Sequence, residues 1–465
     1  MLNLYTDYKT NYQTLNKALR ANHSFDLVCR QITIKGRRSC LYFIDGLVKD
    51  EIMEKIMEFF FSVDDESYME NAYVFSENCV PYVEVEVINN VEKIVTNVLM
   101  GMTALIVDGF DSAILIDSRT YPQRQTSEPE KDKVMRGSKD GFVETLISNL
   151  ALVRRRIRDP NLTVKSFVVG EKSRTDVAVV YMDNLADKKL LKKITEGIRN
   201  LKVDSLTMNQ QSLLEALYKH KWYNPLPKIK YTERPDTTAA ALLDGNIAIF
   251  VDNSPSALIL PTSIFDVTEE ADDYYFPPVT GTYIRLTRYL VTVATLFLTP
   301  LWLLCLQNPD YVPQAFKFVL LTEPVNIPVF WQLILLEIAI DGLRLASIKT
   351  PDSLSASLSI IGAIALSEFA VNVGWFSTES MLYMAFVAIA NYTQPSYELG
   401  YALKFFRILI LIATVLFNFV GFIAGVIIVC ILLITNKTIS GKSYLYPLIP
   451  FNGKKLVRKI IRKRN

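Results

Sequence analysis

The stretch Tyr283-Ile-Arg-Leu-Thr-Arg-Tyr-Leu-Val-Thr-Val-Ala-Thr-Leu-Phe-Leu-Thr-Pro-Leu-Trp-Leu-Leu-Cys-Leu306 divides the chain. Before it, charged and apolar residues are mixed as in a globular protein. From Tyr289 it runs apolar and uncharged to Leu306, and further apolar runs follow at 327–348, 356–376, 381–392 and 405–434. A membrane-spanning helix needs about 20 apolar residues to cross a core of about 30 Å. The first three runs fit one span each and the fourth is short. The fifth is too long for one upright span and short for two, with Asn418, Gly421 and Gly425 in its middle. It reads as a kinked long helix or a broken pair. Pro300 predicts a kink in the first span, and the proline-rich connector 308–328 reads as an external loop. The expected fold class is a membrane protein: a cytosolic α/β two-module N-terminal region followed by an α-helical multi-span transmembrane bundle.

Composition agrees with that division. The 465 residues are 50% hydrophobic and only 21% charged, and the mean hydropathy is +0.21. Lys and Arg total 50 against 48 Asp and Glu, a net charge of +2. That balance excludes a large basic nucleic-acid footprint. Five cysteines (Cys29, Cys40, Cys79, Cys305 and Cys430) stand scattered without a C-x-x-C pair, which argues against a disulfide framework or a structural zinc site. His23 and His220 are the only histidines, too few for His-based metal catalysis. No nucleotide-binding, metalloprotease or serine-nucleophile motif is present. Arg136-Gly-Ser-Lys-Asp-Gly141 lacks the spacing and the upstream strand of a phosphate loop. The expectation is therefore no enzyme and no cofactor or metal. The N-terminus lacks an apolar signal core, so the soluble part is expected on the cytoplasmic side.

The soluble part reads as two modules. In 1–130, extended runs at 39–44, 82–87, 104–107 and 113–117 alternate with helical patterns such as 50–61. Residues 123–133 are polar and proline-bearing and read as a linker. In 134–280, helical patterns at 141–158 and 187–200 accompany strands at 166–169, 176–182, 247–251 and 257–260. Strands alternating with helices imply α/β layers. No internal repeat is evident. Residues 284–450 are the expected transmembrane domain and 451–465 a basic cytoplasmic tail.

Charges in and beside the apolar runs carry the functional reading. Arg285 and Arg288 precede the first run, Arg344 and Lys349 end the second, and Lys404 and Arg407 open the fifth. Together with the basic tail they place both termini on the cytoplasmic face. That requires an even number of crossings, so either the fourth run is re-entrant or the fifth crosses twice. In the tail, Lys454, Lys455, Arg458, Lys459 and Arg462 alternate with apolar residues. This pattern suits anionic lipid headgroups and equally a solvated topology signal. Glu337, Asp341 and Arg344 share one helix face at i, i+4 and i+7, and Asn372 follows Glu368 by one turn. A charge at mid-bilayer costs about 2.5–3.5 kcal/mol on insertion scales. Such residues line a wet path or pair with each other. Arg344 can snorkel to the interface, with Asp341 as its partner at i+3. Glu337 and Glu368 read as facing a pore or a polar bundle interior. The segment 391–398 is a polar, proline-broken exit from the bilayer or an interfacial loop. The cluster Arg154, Arg155, Arg156 and Arg158 reads as an oligomer, partner or headgroup contact, against the ordinary alternative of a solvated helix face.

Several further motifs carry a resemblance. Ile44-Asp-Gly-Leu-Val48, Val107-Asp-Gly109, Ile116-Asp-Ser-Arg119 and Arg136-Gly-Ser-Lys-Asp-Gly-Phe-Val-Glu-Thr-Leu146 are followed by Arg154-Arg-Arg-Ile-Arg-Asp-Pro160. Ser173-Arg-Thr-Asp-Val177, Thr232-Glu-Arg-Pro-Asp236, Asp272-Asp-Tyr-Tyr275, Pro395-Ser-Tyr-Glu-Leu399 and Pro447-Leu-Ile-Pro450 come next, in order. In this order and spacing the chain resembles the GerA family of spore germination proteins, the A-type membrane subunits of germination receptors. The resemblance implies a multi-span protein of the spore inner membrane, homo-oligomeric and pentameric, that conducts ions. It also implies other germination membrane proteins as partners, namely a transporter-like B subunit and a lipoprotein C subunit. Within the family, Leu41-Tyr-Phe-Ile-Asp-Gly46 and Leu335-Leu-Glu-Ile-Ala-Ile-Asp-Gly-Leu-Arg344 resemble the stage V sporulation branch. Members of that branch resemble channels that amplify the response instead of sensing the nutrient. A non-conducting receptor scaffold is the competing class. A secondary transporter is disfavoured by the lack of an inverted repeat.

Overall fold

The computed structural model describes residues 2–120, 134–218, 223–349 and 368–462. The chain forms two compact units, Met1–His220 with Ile229–Pro261, and Lys221–Lys228 with Thr262–Asn465. The boundary at 261/262 lies upstream of the compositional shift.

The first unit holds two antiparallel sheets. One contains β1 (Leu27–Ile34), β2 (Arg37–Ile44), β3 (Val85–Ile88), β4 (Thr103–Val107) and β5 (Ala113–Ile116), in the order β1-β2-β4-β5-β3. The other contains β6 (Leu162–Val169), β7 (Thr175–Met182), β8 (Lys230–Thr232), β9 (Ile247–Val251) and β10 (Ala257–Leu260), in the order β6-β7-β9-β10-β8. Counted from its own first strand, each sheet reads 1-2-4-5-3. The expectation of no internal repeat is thereby corrected: the two modules share one topology.

The same side-chain devices recur in both copies. Asn11, in α1 (Tyr8–Leu19), accepts from the Tyr5 amide at 2.8 Å and donates to the Tyr5 carbonyl. Asn149, in α5 (Leu146–Arg156), accepts from the Val143 amide at 2.8 Å and donates to the Val143 carbonyl. Each is a buried amide that satisfies the chain six residues upstream. After β4 the Gly109 amide donates to the Thr6 carbonyl at 2.9 Å, and after β9 the Asn253 amide donates to Glu144 at 2.9 Å. Both residues have positive φ, +91° and +60°, the conformation glycine and asparagine tolerate best. The sequence trace is faint, Ile106-Val-Asp-Gly109 against Phe250-Val-Asp-Asn253.

Strand periodicity sorts the core of the first sheet. Cys40, Tyr42, Ile44, Ala104 and Ile106 face α1 and α4 (Val91–Leu99). Leu41, Leu105, Val107, Ile114 and Ile116 face α2 (Asp50–Phe61) and α3 (Ala72–Cys79). Successive side chains point to opposite faces, so the inner strands are sealed on both sides. In the second module α5 and α8 (Pro235–Leu243) cover Ala178, Val180, Ala248 and Phe250. Helix α5 is buried nearly all round, because the first module closes over it as well. A Cβ on Gly46 would stand 2.7 Å from Ile147 Cγ2 and 3.2 Å from the Ala151 methyl.

The second unit is helical. After α6 (Lys188–Arg199) and α7 (Asn209–Leu217) of the first unit, its helices are α9 (Ile264–Val267), α10 (Asp272–Tyr275), α11 (Pro278–Gln307) and α12 (Val329–Lys349). They continue with α13 (Glu368–Asn372), α14 (Thr378–Tyr392), α15 (Tyr397–Thr435) and α16 (Gly453–Ile460). Among the described residues two helices, α11 and α15, are long and apolar enough to cross a membrane. Of the five apolar runs, the first and the fifth meet that test among the described residues. Helix α12 carries Glu337, Asp341 and Arg344, α14 is short, and most of the run 356–376 lies outside the described residues. Pro300 sits inside a continuous α11.

Helix α15 is a hairpin. Phe417 and Asn418 leave helical geometry, with Asn418 at φ 51°. A Cβ on Gly421 would lie 1.8 Å from the Ala413 carbonyl oxygen, and one on Gly425 would lie 3.1 Å from Ile410 Cα. In a straight helix those partners would stand about 12 and 22 Å apart at ~1.5 Å per residue. The two arms, 397–416 and 419–435, therefore pack antiparallel, and the glycines let their backbones touch. Of the two readings of the fifth run, the broken pair is the one observed. At the tip, Asn418 and Asn308 exchange amide hydrogen bonds of 2.6 and 3.1 Å.

Gly421→Ala is expected to lower the melting temperature of the detergent-solubilised protein, by an amount equivalent to about 1–3 kcal/mol of overpacking. Gly342→Ala meets no atom within 4 Å and is expected to leave the melting temperature unchanged or raised.

A buried charge network as the candidate functional site

Four charged side chains meet inside the helical unit. On α12, Glu337 lies one turn before Asp341. On α15, Lys404 lies one turn before Arg407. Arg407 Nη2 donates to Glu337 Oε1, and Nη1 donates to the Thr295 carbonyl of α11 at 2.9 Å. Lys404 Nζ stands 3.3 Å from Glu337 Oε2 and also donates to Asp341 Oδ2. Glu337, Lys404 and Arg407 are 5%, 6% and 1% exposed. Two carboxylates thus face two cations with no net charge, the condition under which buried ions are tolerated. Arg407 Nε and Thr299 Oγ1 are buried polar atoms with no hydrogen-bond partner among the described residues.

This arrangement differs from the sequence expectation in its partners. Asp341 pairs across the helix interface with Lys404, and Arg344 takes no part in that pair. The Arg344 guanidinium instead lies 5.5, 4.7 and 5.4 Å from the ring centres of Tyr392, Tyr397 and Tyr401, where cation–π attraction holds it. Asn372 is exposed. Glu368 begins α13, and its side chain lies outside the described residues. Lys404 and Arg407, read from sequence as topology signals, are members of the network. The signal for them was Lys404-x-x-Arg407 at the opening of an apolar run, opposite in charge to Glu337-x-x-x-Asp341 and, like it, spaced by about one helical turn.

A second network binds the start of α11 to the tail. Asp273, fully buried, receives Arg285 at 3.2 Å and Arg288 at 3.0 Å. Glu269 and Glu270 hold the outer edges of the same arginines. Lys459 Nζ reaches Asp266 at 2.6 Å and Glu269 at 2.8 Å. Arg462 donates to the carbonyls of Tyr274 and Phe276. Of the residues expected at lipid headgroups, Lys459 and Arg462 are therefore bound to the protein, because acidic and carbonyl oxygens of the 266–276 segment outcompete water for them. Lys454, Lys455 and Arg458 remain exposed. Burial pushes the Asp266 carboxyl up, but the Lys459 charge and hydrogen bonds from Lys459 and Ser263 outweigh it and hold the carboxyl below its usual range. Burial pulls the Lys459 ammonium down, and Asp266 and Glu269 more than reverse that.

The arginine cluster is corrected in part. Arg154 is 1% exposed and makes hydrogen bonds of 2.8 and 2.9 Å to Asp26, itself 2% exposed. It also donates to Ser24 Oγ and to the Leu162 carbonyl at 3.0 Å. These bonds tie α5 to the first module, so the side chain is unavailable to a headgroup or a neighbouring subunit. Arg156 is taken by Asp140 and the Leu152 carbonyl. Arg155 is half-buried and Arg158 is exposed.

Fold and site together define a chain of two duplicated α/β modules joined to an apolar helical unit with charges paired in its interior. The profile of the Bacillus/Clostridium GerA spore germination protein matches residues 13–465. The chain belongs to this family of germination membrane proteins. It is similar to Stage V sporulation protein AF of Bacillus subtilis (strain 168), 36% identical over 462 residues, which cover 99% of this chain and 93% of that protein. It is also similar to Spore germination protein KA of the same organism, 28% identical over 92% of this chain and 80% of that protein. Among solved structures it is similar to the N-terminal domain of the A subunit of the Bacillus megaterium spore germinant receptor GerK3. The identity there is 27% and the TM-score 0.42, with 56% of this chain and 96% of that chain covered.

Two outcomes are expected. Arg154→Ala strands Asp26 in a dry interior and should cost about 3–5 kcal/mol in chemical unfolding, while Arg158→Ala should stay within about 0.5 kcal/mol. The tail clasp should be intact in mid-range pH. A lowered Asp266 contributes stability above its unfolded value of ~3.9, lost as pH falls through the folded value; a raised Lys459 contributes below ~10.4, lost as pH rises through its folded value. Amide hydrogen exchange over 453–462, corrected for its intrinsic pH dependence, should be faster at both extremes than at neutral pH, and trypsin cleavage after Lys454 and Lys455 at neutral pH should accelerate in Asp266→Asn.

Proposed function

We propose that the chain is a subunit of a homo-oligomeric, pentameric ion channel in the spore inner membrane, conducting cations during germination and amplifying the response. The observation that carries this reading is the charge quartet in which Glu337, Lys404 and Arg407 are buried among α11, α12 and α15 and the half-buried Asp341 closes its edge. At rest each carboxylate is neutralised by its cation. Parting α12 from α15 would release Glu337 and Asp341 to a wet path, where carboxylates raise the local cation concentration. Thr299 Oγ1 and Arg407 Nε, unpartnered in the same interior, are groups that water on such a path would satisfy. Glu368 and Asn372 belong to the proposed path from their sequence spacing. The α15 hairpin supports the double crossing of the fifth run, with arms of about 30 and 25 Å at ~1.5 Å per residue. With the other four runs crossing once each, that makes six crossings and puts both termini on the cytoplasmic side, with Lys454, Lys455 and Arg458 toward anionic headgroups. Arg158, the exposed member of the arginine cluster, is the one assigned to an oligomer contact.

A second reading is favoured by the cancellation of charge in the quartet. A bundle with no net internal charge also suits an A-type subunit acting with B and C subunits of a nutrient receptor, or a non-conducting scaffold.

Liposomes holding only the purified protein separate these readings. A cation-selective leak is expected, with Glu337→Gln reducing it about tenfold, or ~1.4 kcal/mol in barrier terms, at unchanged oligomer mass. Glu337→Gln combined with Arg407→Gln keeps the charge balance and controls for misassembly. No leak from correctly oligomeric protein would overturn autonomous conduction in favour of the scaffold or the partner-dependent A-type subunit.

A further inference from the structure

Two of the scattered cysteines meet on the first sheet. The β1–β2 register sets Cys29 opposite Tyr42 and Cys40 opposite Gln31. The two thiols are therefore diagonal neighbours on one face, the face beneath α1. Their sulfurs stand 2.8 Å apart, inside van der Waals contact and within an ångström of the ~2.05 Å disulfide bond. Their surroundings are unequal. Cys40 is fully buried in the core under α1, while Cys29 is half-buried at its rim. The Tyr42 hydroxyl is buried and has no hydrogen-bond partner among the described residues. From α1, Tyr12 lies at the rim, its hydroxyl bonded by Gln31 Nε2 at 2.7 Å.

We infer that Cys29 and Cys40 form a reversible thiol–disulfide pair, with Cys29 attacking a small disulfide oxidant and Cys40 resolving the adduct. The Cys29 thiolate attacks one sulfur of the oxidant, forming a mixed disulfide and expelling the first thiolate with the bond's electron pair. Cys40 then attacks the Cys29 sulfur, forming the protein disulfide and expelling the second thiolate, which takes up the Cys40 proton. Two protein thiols are oxidised by two electrons, and the oxidant is reduced to two thiols. The environment supports this division of roles. The hydrogen bond from Cys40, against the opposing effect of burial, and then one from Tyr12 pull the Cys29 thiol down to about 7. The bond to Cys29 and burial push Cys40 up. A thiol titrating near ambient pH at an accessible rim is the efficient attacker. Intracellular disulfides of this kind are transient and regulatory, not structural. The pair is independent of the proposed conduction.

The test uses the full-length protein in detergent with oxidised glutathione, digested without reduction and read by mass spectrometry. Expected is a Cys29–Cys40 linked peptide at least about tenfold more abundant than any link involving Cys79, Cys305 or Cys430, and reversed by dithiothreitol. Cys40→Ser, checked for native fold by circular dichroism, should trap glutathione on Cys29, and Cys29→Ser should leave the hairpin unmodified. Iodoacetamide labelling of Cys29 in the wild type should reach half its maximum near pH 7. A Cys29 adduct that persists in the wild type, or a Cys29–Cys40 link no more abundant than links to the remote cysteines, would overturn the assignment.

Discussion

Arg407 bonds Glu337 on one neighbouring helix and the Thr295 carbonyl on another, and the helical unit is organised around that double contact. A guanidinium in an apolar bundle must use its donors or pay for leaving water. Its position therefore fixes how α15 meets both α11 and α12. Lys404 completes the arrangement by serving Glu337 and Asp341 together. The same constraint recurs wherever a charge is buried. Arg154 and Asp26 lock α5 to the first module, and Asp273 holds Arg285 and Arg288 at the start of α11. The Glu337–Arg407 and Asp26–Arg154 pairs cross between elements distant in sequence and the Asp273 pairs join two consecutive helices, so the ions fix tertiary geometry that apolar contact, being non-directional, leaves loose.

The first unit adds a different kind of order. Two sheets with one strand order carry buried asparagines and turn residues in matching places. Buried amides that satisfy a fixed segment of backbone define the entry of α1 and α5 more sharply than hydrophobic packing does. The second module's first helix is also the one that the other module covers, which is why α5 lacks an amphipathic pattern.

Much of this was legible in the sequence, for identifiable reasons. Strands β4, β7 and β9 are dense in β-branched residues, β2 carries the apolar and aromatic run Leu41–Ile44, and all are bounded by turn residues, so 39–44, 104–107, 176–182 and 247–251 could be read from local pattern. The duplication could not, because strand order is a long-range property and only the Val-Asp-Gly and Val-Asp-Asn turns echo it. The carboxylates of the charge quartet stood out because an acid in an apolar run is costly. Their cations did not, because lysine and arginine at the end of a run look like topology signals until the opposing helix is known. Arg154 misled for a related reason. A run of arginines on a helix predicts a solvated or docking face, and nothing local reveals that Asp26 is folded against it. The Cys29–Cys40 contact was hidden by a sequence separation that only the hairpin register closes.

The two ends of the helical unit are fastened by different chemistry. At the tip of the α15 hairpin, Asn308 and Asn418 exchange neutral amide bonds. At the opposite end of α11, the fastening is made of carboxylates, guanidinium groups and an ammonium. Amides neither titrate nor draw counter-ions, whereas exposed edges of an ionic cluster do both. A change in acidity or salt is thus felt at one end of the unit and not at the other. The helices between act as levers with one fixed and one adjustable mount, which gives the molecule an intrinsic direction along which ionic conditions are read.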